Sequence, residues 1–198
     1  MLSTWELRWF RQGTLPQDVE NWFITDCPGK LFGTPEKRED FYLYIPECQY
    51  LNLKLRQGNL EMKWRKSEVG LEQFGEHGEG KVEKWSKWIC QDPNQQTFIP
   101  VNAQNKKPWI RVKKIRSQRL YQDISVEITQ LHTRNEFWWS MALERTCCEN
   151  QQFDNFEHVL CEMSATYQGP QLLPRNSFAY PGWLTLLQKG KTLDEERE

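Results

Sequence analysis

Five short segments of this chain alternate charged and apolar residues with the period of a β-strand, which commits the chain to a sheet with two unlike faces. They are Thr4-Trp5-Glu6-Leu7-Arg8-Trp9, Leu51-Asn52-Leu53-Lys54-Leu55-Arg56, Leu60-Glu61-Met62-Lys63-Trp64-Arg65, Trp109 to Arg116, and Ser125-Val126-Glu127-Ile128-Thr129. Side chains along a strand point alternately to opposite faces. Glu6 and Arg8 therefore share a face, as do Lys54 and Arg56, and so do Glu61, Lys63 and Arg65. The other face reads Trp5, Leu7, Trp9, then Leu53, Leu55, then Leu60, Met62, Trp64. A sheet of this kind must bury its apolar face. Its charges then meet either bulk water or the inside of a wet barrel, and which of these holds decides the function.

Residues 1–198 read as a single domain, long enough to bury about 70% of the unfolded surface. No linker rich in Gly, Pro or Ser divides the chain and no long-period repeat is present. Mean hydropathy is low, at -0.80, but 10 Trp, 10 Phe and 6 Tyr supply the apolar area that Leu and Val do not. Disordered chains lack such aromatics. Lys and Arg (26) nearly cancel Asp and Glu (27), and a net charge of -1 lacks the basic excess of a duplex-DNA binder. Locally, Arg111, Lys113, Lys114, Arg116 and Arg119 cluster. The six cysteines (Cys27, Cys48, Cys90, Cys147, Cys148 and Cys161) form no C-x-x-C pair, and adjacent Cys147 and Cys148 suit a tetrahedral zinc poorly. Without a secretory leader they read as reduced thiols, mostly small core residues, of a cytoplasmic protein. No apolar run approaches a membrane span.

Along the chain, residues 15–23 read as a short helix with Pro16 in its first turn, and residues 27–39 as a loop. Asp40 to Tyr44 is a strand, and residues 51–65 form a hairpin turning at Gln57-Gly58-Asn59. The glycines and charges of 66–80 indicate a mobile loop, and Lys81 to Cys90 a strand with Glu83, Trp85 and Lys87 on one face. Residues 92–107 read as loop. Strands follow at 109–116, 119–129 and 136–144. Phe153, Phe156, Val159, Leu160 and Met163 have helical spacing, and a last helix starts near Ser177 or Pro181 and carries Trp183, Leu184 and Leu187. Residues 191–198 form a flexible charged tail. About eight strands with a few flanking helices give an α+β fold built on an antiparallel barrel.

An antiparallel sheet ordinarily turns its charged face to water. Three details favour a lumen instead. The charges recur in nearly every long strand. Cations dominate some strands (Lys54, Arg56, Lys63, Arg65, Lys114, Arg116), while acids stand singly in others (Glu6, Glu127, Glu144), whereas a surface built for solubility mixes signs more evenly. Finally, cations with a few carboxylates in one barrel suit a polyphosphate and its metal, since Arg and Lys neutralise phosphate oxygens and carboxylates hold Mg²⁺ or Mn²⁺.

These segments resemble the CYTH superfamily of triphosphate tunnel metalloenzymes, whose opening strand reads E-x-E-x-K followed by an aromatic. Thr4 to Trp9 fits it, with Glu6 as the second acid, Arg8 in the lysine's place and Trp9 as the aromatic. A strand like Leu53-Lys54-Leu55-Arg56 and a partner strand ending in a lysine, here Lys63, follow in the family. Next comes V-x-K-x-R, matched by Val112, Lys114 and Arg116, then an acid in an alternating strand, matched by Glu127. A late E-x-E is matched in part by Met141-Ala142-Leu143-Glu144, so the resemblance spans residues 4–144. It implies an eight-stranded antiparallel tunnel. Arg8, Lys54, Arg56, Lys63, Arg65, Lys114 and Arg116 would bind phosphates, and Glu6, Glu127 and Glu144 would hold Mg²⁺ or Mn²⁺. The activity implied is metal-dependent hydrolysis of a terminal phosphate. Two departures fall on the metal side: Thr4 replaces the first acid of the opening motif, and Ala142 the first acid of the late pair. Glu6, Glu61, Glu127 and Glu144 either support one ion or pair with neighbouring cations.

Other chemistry finds little support. His77, His132 and His158 are far apart, and there is no H-x-x-x-H, G-x-S-x-G or Walker loop. Trp85, Trp88, Trp138 and Trp139 alternate with polar residues as core tryptophans do rather than forming a stacking platform. The expected ligand is a phosphorylated small molecule, a nucleotide or a polyphosphate. The competing readings are a calycin-like barrel holding an organic ligand or chromophore in an apolar lumen, and a protein-interaction module docking through its apolar outer sheet.

Overall fold

A computed structural model describes residues 2–90, 108–147 and 156–190. Its elements, in chain order, are β1 (Leu2–Gln12), α1 (Gln17–Thr25), β2 (Lys30–Leu31), β3 (Glu36–Leu43), β4 (Leu51–Arg56), β5 (Asn59–Gln73), β6 (Glu79–Cys90), β7 (Trp109–Tyr121), β8 (Ile124–Thr133), β9 (Glu136–Cys147), α2 (Phe156–Ser164) and α3 (Tyr180–Lys189). Eight strands pair antiparallel in the order β7-β3-β4-β5-β6-β1-β9-β8, and β8 pairs back onto β7. That last pairing closes the expected α+β barrel and leaves it no sheet edge. The two residues of β2 extend the β3 side of β7.

Turn chemistry fixes the hairpins. Gln57 and Gly58 both take positive φ between β4 and β5, as do Arg134 and Asn135 between β8 and β9, the conformation that matches the twist of tightly joined strands. In β6, Gly80 is required because a Cβ there would lie 2.5 Å from the Trp9 ring.

The apolar face points outward and lies under helices. Trp5, Leu7 and Trp9 on β1 pack with Val82, Val126, Met141 and Leu143 of neighbouring strands, against Val19, Trp22 and Phe23 of α1 and Val159, Leu160 and Met163 of α2. Burying each large side chain contributes about 1.5–3 kcal/mol. A second cluster lies inside one end of the barrel. Phe10, Tyr42, Ile110, Val112, Leu131 and Trp138 point inward there and meet Trp183, Leu184 and Leu187 of α3. Phe10 stacks on Trp183 at 5.2 Å and on Phe178 at 5.5 Å, and Tyr42 stacks on Tyr180 at 4.9 Å. The C-terminal helix thus plugs that end.

Three expected boundaries are corrected. Residues 27–39 are not all loop, since β3 begins at Glu36 and β2 lies within the span. Glu36 to Asp40 carries charge on both faces, so it lacks the amphipathic signature, and β7 supplies the pairing that makes it a strand. The span 66–80 is not a loop either. β5 continues to Gln73, pairs with β6 across two irregularities and is followed by Phe74, which is buried against Trp9 and Tyr167. The glycine at position 70 serves such an irregularity rather than breaking the strand. Residues 119–129 are two strands, split by a turn at Gln122 and Asp123. The expected loop at 92–107, the helix start at Phe153 and the tail at 191–198 lie outside the described residues. Cys27 fits its core reading, with burial pushing its thiol up to about 12. No helix among the described residues is long and apolar enough to cross a membrane.

Truncating the plug should destabilise the barrel. Trp183→Ala removes a fully buried side chain and is expected to cost about 3–5 kcal/mol, lowering the thermal midpoint by roughly 10 °C. Circular dichroism melting checks this.

Candidate functional site

The register settles where the charged face points. Arg8 pairs with Ala142, Glu6 with Glu144 and Glu83, and Lys54 with Glu61 and Tyr42. Arg38 pairs with Lys114, and Arg116 with Thr129. Cross-strand partners share a face, and this face is the inside of the barrel. Below the aromatic plug lies a cavity of about 220 Å³, lined by eight cationic side chains and three carboxylates. The calycin-like expectation of an apolar lumen with charges outside is overturned. The reading of the charges as a solvated outer face is overturned with it.

One side of the cavity is organised around Arg8, which is 3% exposed. Its Nε donates to Glu6 Oε1 at 2.7 Å, Nη1 to Glu127 Oε1 at 2.9 Å, and Nη2 to Glu144 Oε1 at 2.9 Å. Nη1 also reaches Ser140 Oγ at 3.3 Å. The second oxygens of Glu6 and Glu127 take further donors. Lys63 Nζ lies 3.1 Å from Glu6 Oε2, and Arg116 Nε donates to Glu127 Oε2. Thr129 Oγ1 donates to Glu127 Oε1. Each carboxylate needs these partners, because an unpaired charge in a low-dielectric interior is costly.

The opposite wall is built around Asp40 and Glu61. Arg56 grips Asp40 with two bonds of 3.0 Å, and Lys114 Nζ stands 3.3 Å from Asp40 and 2.5 Å from the Tyr42 hydroxyl. Lys114 also sits 3.9 Å from the Tyr180 ring centroid. Lys54 and Lys87 each reach Glu61 at 3.0 Å. Arg38 bonds Glu36, and its Nε, 3.6 Å from Asp40, has no hydrogen-bond partner among the described residues. Thr4 Oγ1 and Asn52 Oδ1 line the cavity and are likewise without a partner there.

Nine of the ten expected site residues converge on this cavity: Arg8, Lys54, Arg56, Lys63, Lys114, Arg116, Glu6, Glu127 and Glu144. Arg65 does not line it. Its guanidinium is held at 2.6 Å by Glu83 and at 2.5 Å by Glu68. Sequence reasoning missed Arg38, because its strand read as loop, and Asp40, which began a strand with no alternation to interpret. Lys87 was placed on the correct face without being recognised as a lumen cation. Tyr180 was not singled out as a site residue, because the last helix was read only from Trp183, Leu184 and Leu187, and no local pattern reveals that α3 enters the barrel.

The electrostatics of the two walls differ. Burial pushes the Glu6 carboxyl up, but Lys63 and Arg8 outweigh it and hold it at about 2. Glu61 is held at about 2 by Lys54 and Arg56, again against burial, and Arg116 and Arg8 hold Glu127 well below the usual carboxylate range. On the cationic wall, burial pulls Lys54 down to about 7, helped by Arg56. Burial also lowers Lys114 well below an ordinary lysine, with Lys54, Arg38 and Arg56 adding repulsion that Asp40 does not cancel.

Glu6, Glu127 and Glu144 are brought together, as the resemblance implied, but around a guanidinium. A divalent cation needs carboxylate oxygens free to turn toward it. Here one oxygen of each acid is bound by Arg8, and Lys63 and Arg116 bind the remaining oxygens of Glu6 and Glu127. The two further acids the family pattern calls for are absent, since the cavity-lining position in β1 is Thr4 and the residue paired with both Arg8 and Glu127 is Ala142. This donor set does not fit Mg²⁺ or Mn²⁺.

No protein-family model matches the sequence, and no curated protein does. Several solved structures are similar. The PH1012 protein of Pyrococcus horikoshii OT3 aligns with TM-score 0.48 and 14% identity over 82% of this chain and 89% of that one. A conserved hypothetical protein of Pyrococcus furiosus aligns at 0.46 and 9%, over 83% and 90%. The Pct1 RNA triphosphatase of S. pombe, in complex with the Spt5 CTD, aligns at 0.41 and 12%, over 84% and 80%. Likeness at this level assigns no chemistry, which rests on the side chains above.

The lumen carboxylates make stability acid-sensitive. Glu6 and Glu61 have folded-state values near 2 against an ordinary 4.5, so their ion pairs contribute fully above pH 4.5 and are lost as pH falls from 4.5 toward 2. The loss is on the order of a few kcal/mol. Urea unfolding across this range should show a steep decline, with a shallower slope in Glu61→Gln.

Proposed function

We propose that this barrel binds a phosphorylated anion in its cationic lumen. The observation that carries the reading is the imbalance of the cavity lining, where eight cationic side chains face three carboxylates and those three already have cationic partners. The surplus gathers on the wall of Lys54, Arg56, Lys87, Lys114 and Arg38, five cations built around the two acids Asp40 and Glu61, where burial, with repulsion from neighbouring cations, pulls Lys54 and Lys114 below their ordinary values. A polyanion relieves that repulsion, and tetrahedral phosphates with several oxygens suit a shell of Lys and Arg donors.

In this reading Arg56, Lys54, Lys87, Lys114 and Arg38 contact the ligand, with Lys63 and Arg116 at the border of the carboxylate cluster. Arg8 faces the carboxylates and supports the site without being a phosphate ligand itself, and Arg65 lies outside it. The ligand is a cytoplasmic phosphorylated small molecule, a nucleotide's phosphate end or a short polyphosphate. Binding, rather than metal-assisted hydrolysis, is what these residues are arranged to do. The interaction-module reading has less behind it, because α1 and α2 cover the outer apolar face of β1.

Inorganic triphosphate is the direct probe, with Trp85, which lines the cavity, as the fluorescent reporter. Saturable binding that weakens with added salt is expected. Arg56→Gln, or Lys87→Met where Lys87 is the less buried partner of Glu61, should weaken it about tenfold, with the fold checked by circular dichroism. No response at millimolar ligand in the native protein refutes the reading.

Lys54 adds a pH signature. Burial pulls it down to about 7, and an adjacent anion raises that value, so binding takes up a proton above pH 7. Affinity should fall as pH rises from 7 to 8. Calorimetry in two buffers of different ionisation enthalpy should report net proton uptake, reduced in Lys54→Met.

A further inference from the structure

We infer that the Arg8 guanidinium stands in the place of a divalent cation, so that the lumen's carboxylate cluster is complete without a metal and anion binding is metal-independent. The second half of this inference rests on the reading of the lumen as an anion site; the first stands on the geometry of the cluster alone.

Three carboxylates, Glu6, Glu127 and Glu144, converge from three neighbouring strands. Three cations meet them: Arg8 bonds all three at 2.7–2.9 Å, Lys63 bonds Glu6 and stands 3.9 Å from Glu144, and Arg116 bonds Glu127. Charge is therefore matched one for one. A divalent ion placed among these oxygens would first have to displace Arg8. The guanidinium is held against that by Ser140 and by the rings of Tyr180, at 5.2 Å, and Phe10, at 5.9 Å. Tyr180 opens α3 and Phe10 packs against that helix, so Arg8 is fixed from behind as well as from its acids. A planar fork with five donors suits this role, because it can engage several carboxylates at once where an ammonium offers a single point of charge.

The positions without acids agree with a monocation at the centre. Thr4 faces the same cavity one pleat repeat from Glu6, and Ala142 lies in register with both Arg8 and Glu127. A carboxylate at either place would add negative charge that one guanidinium does not balance, whereas a divalent metal would.

Two measurements test this. In the first, the phosphate-free protein is titrated with Mn²⁺ and free ion is followed by electron paramagnetic resonance. The native protein is expected to bind no stoichiometric Mn²⁺ at 100 μM, on the order of the affinity range of protein carboxylate sites, and Arg8→Gln, which releases the three acids, is expected to gain one site. Stoichiometric Mn²⁺ on the native protein overturns the inference, as does a folded Arg8→Gln that gains none. If Arg8→Gln does not fold, the native titration still decides. In the second, triphosphate binding is compared in EDTA and in excess Mg²⁺. Equal or tighter binding in EDTA is expected, since Mg²⁺ competes for the free anion. Binding only with Mg²⁺ overturns the inference and leaves the anion reading standing. Binding in neither condition refutes the anion reading, and the Mn²⁺ titration still decides the role of Arg8.

Discussion

Charge taken out of water must be paired, and this barrel carries its charges on the inside. Every long strand contributes ionised side chains to the lumen, so closure of the sheet is favourable only where each acid meets a cation across it. The Arg8 cluster meets that condition most fully, joining β1 to β8 and β9 through one guanidinium. Buried pairs of this kind add less net stability than apolar packing, but losing one partner leaves the other stranded at a cost of about 3–5 kcal/mol. The network therefore fixes register and closure more than it drives folding.

The driving force comes from elsewhere, and the inverted arrangement determines where. With the charged lumen polar, most apolar burial has to occur outside the barrel, and α1 and α2 with Trp5, Trp9 and Trp139 form that outer layer. The same logic explains the plug. At one end the inward face changes from charged to aromatic, at Phe10, Tyr42 and Trp138, and α3 enters to cover it. The plug closes the lumen on that side and supplies the Tyr180 and Phe10 rings that brace Arg8. Core packing and site geometry are thus coupled at one residue.

The cationic wall is left under tension. Lys54 and Lys114 are held below their ordinary values by burial and by neighbouring cations, while each acid opposite already has a cationic partner. The lumen is balanced on one side and short of negative charge on the other. That asymmetry sets the Asp40 side, with its unbalanced cations, apart from the Glu127 side, where each acid meets Arg8.

Much of this was legible in strands whose alternation is clean. Glu6 and Arg8, Lys54 and Arg56, Lys63, Lys114 and Arg116 could be assigned to one face, because period-2 geometry needs no tertiary information. β3 was illegible in part because charges on both its faces erase the pattern, and the extension of β5 was hidden by glycines that serve irregularities rather than turns. The sequence by itself determined the two-faced sheet, the excess of cations on its charged face and the absence of acids at Thr4 and Ala142. Only the tertiary structure decided that the charged face points inward, that α3 plugs one end, and that the converging carboxylates meet Arg8. Each of those depends on which strands lie side by side and how far a long side chain reaches across the barrel, distances that local periodicity does not encode.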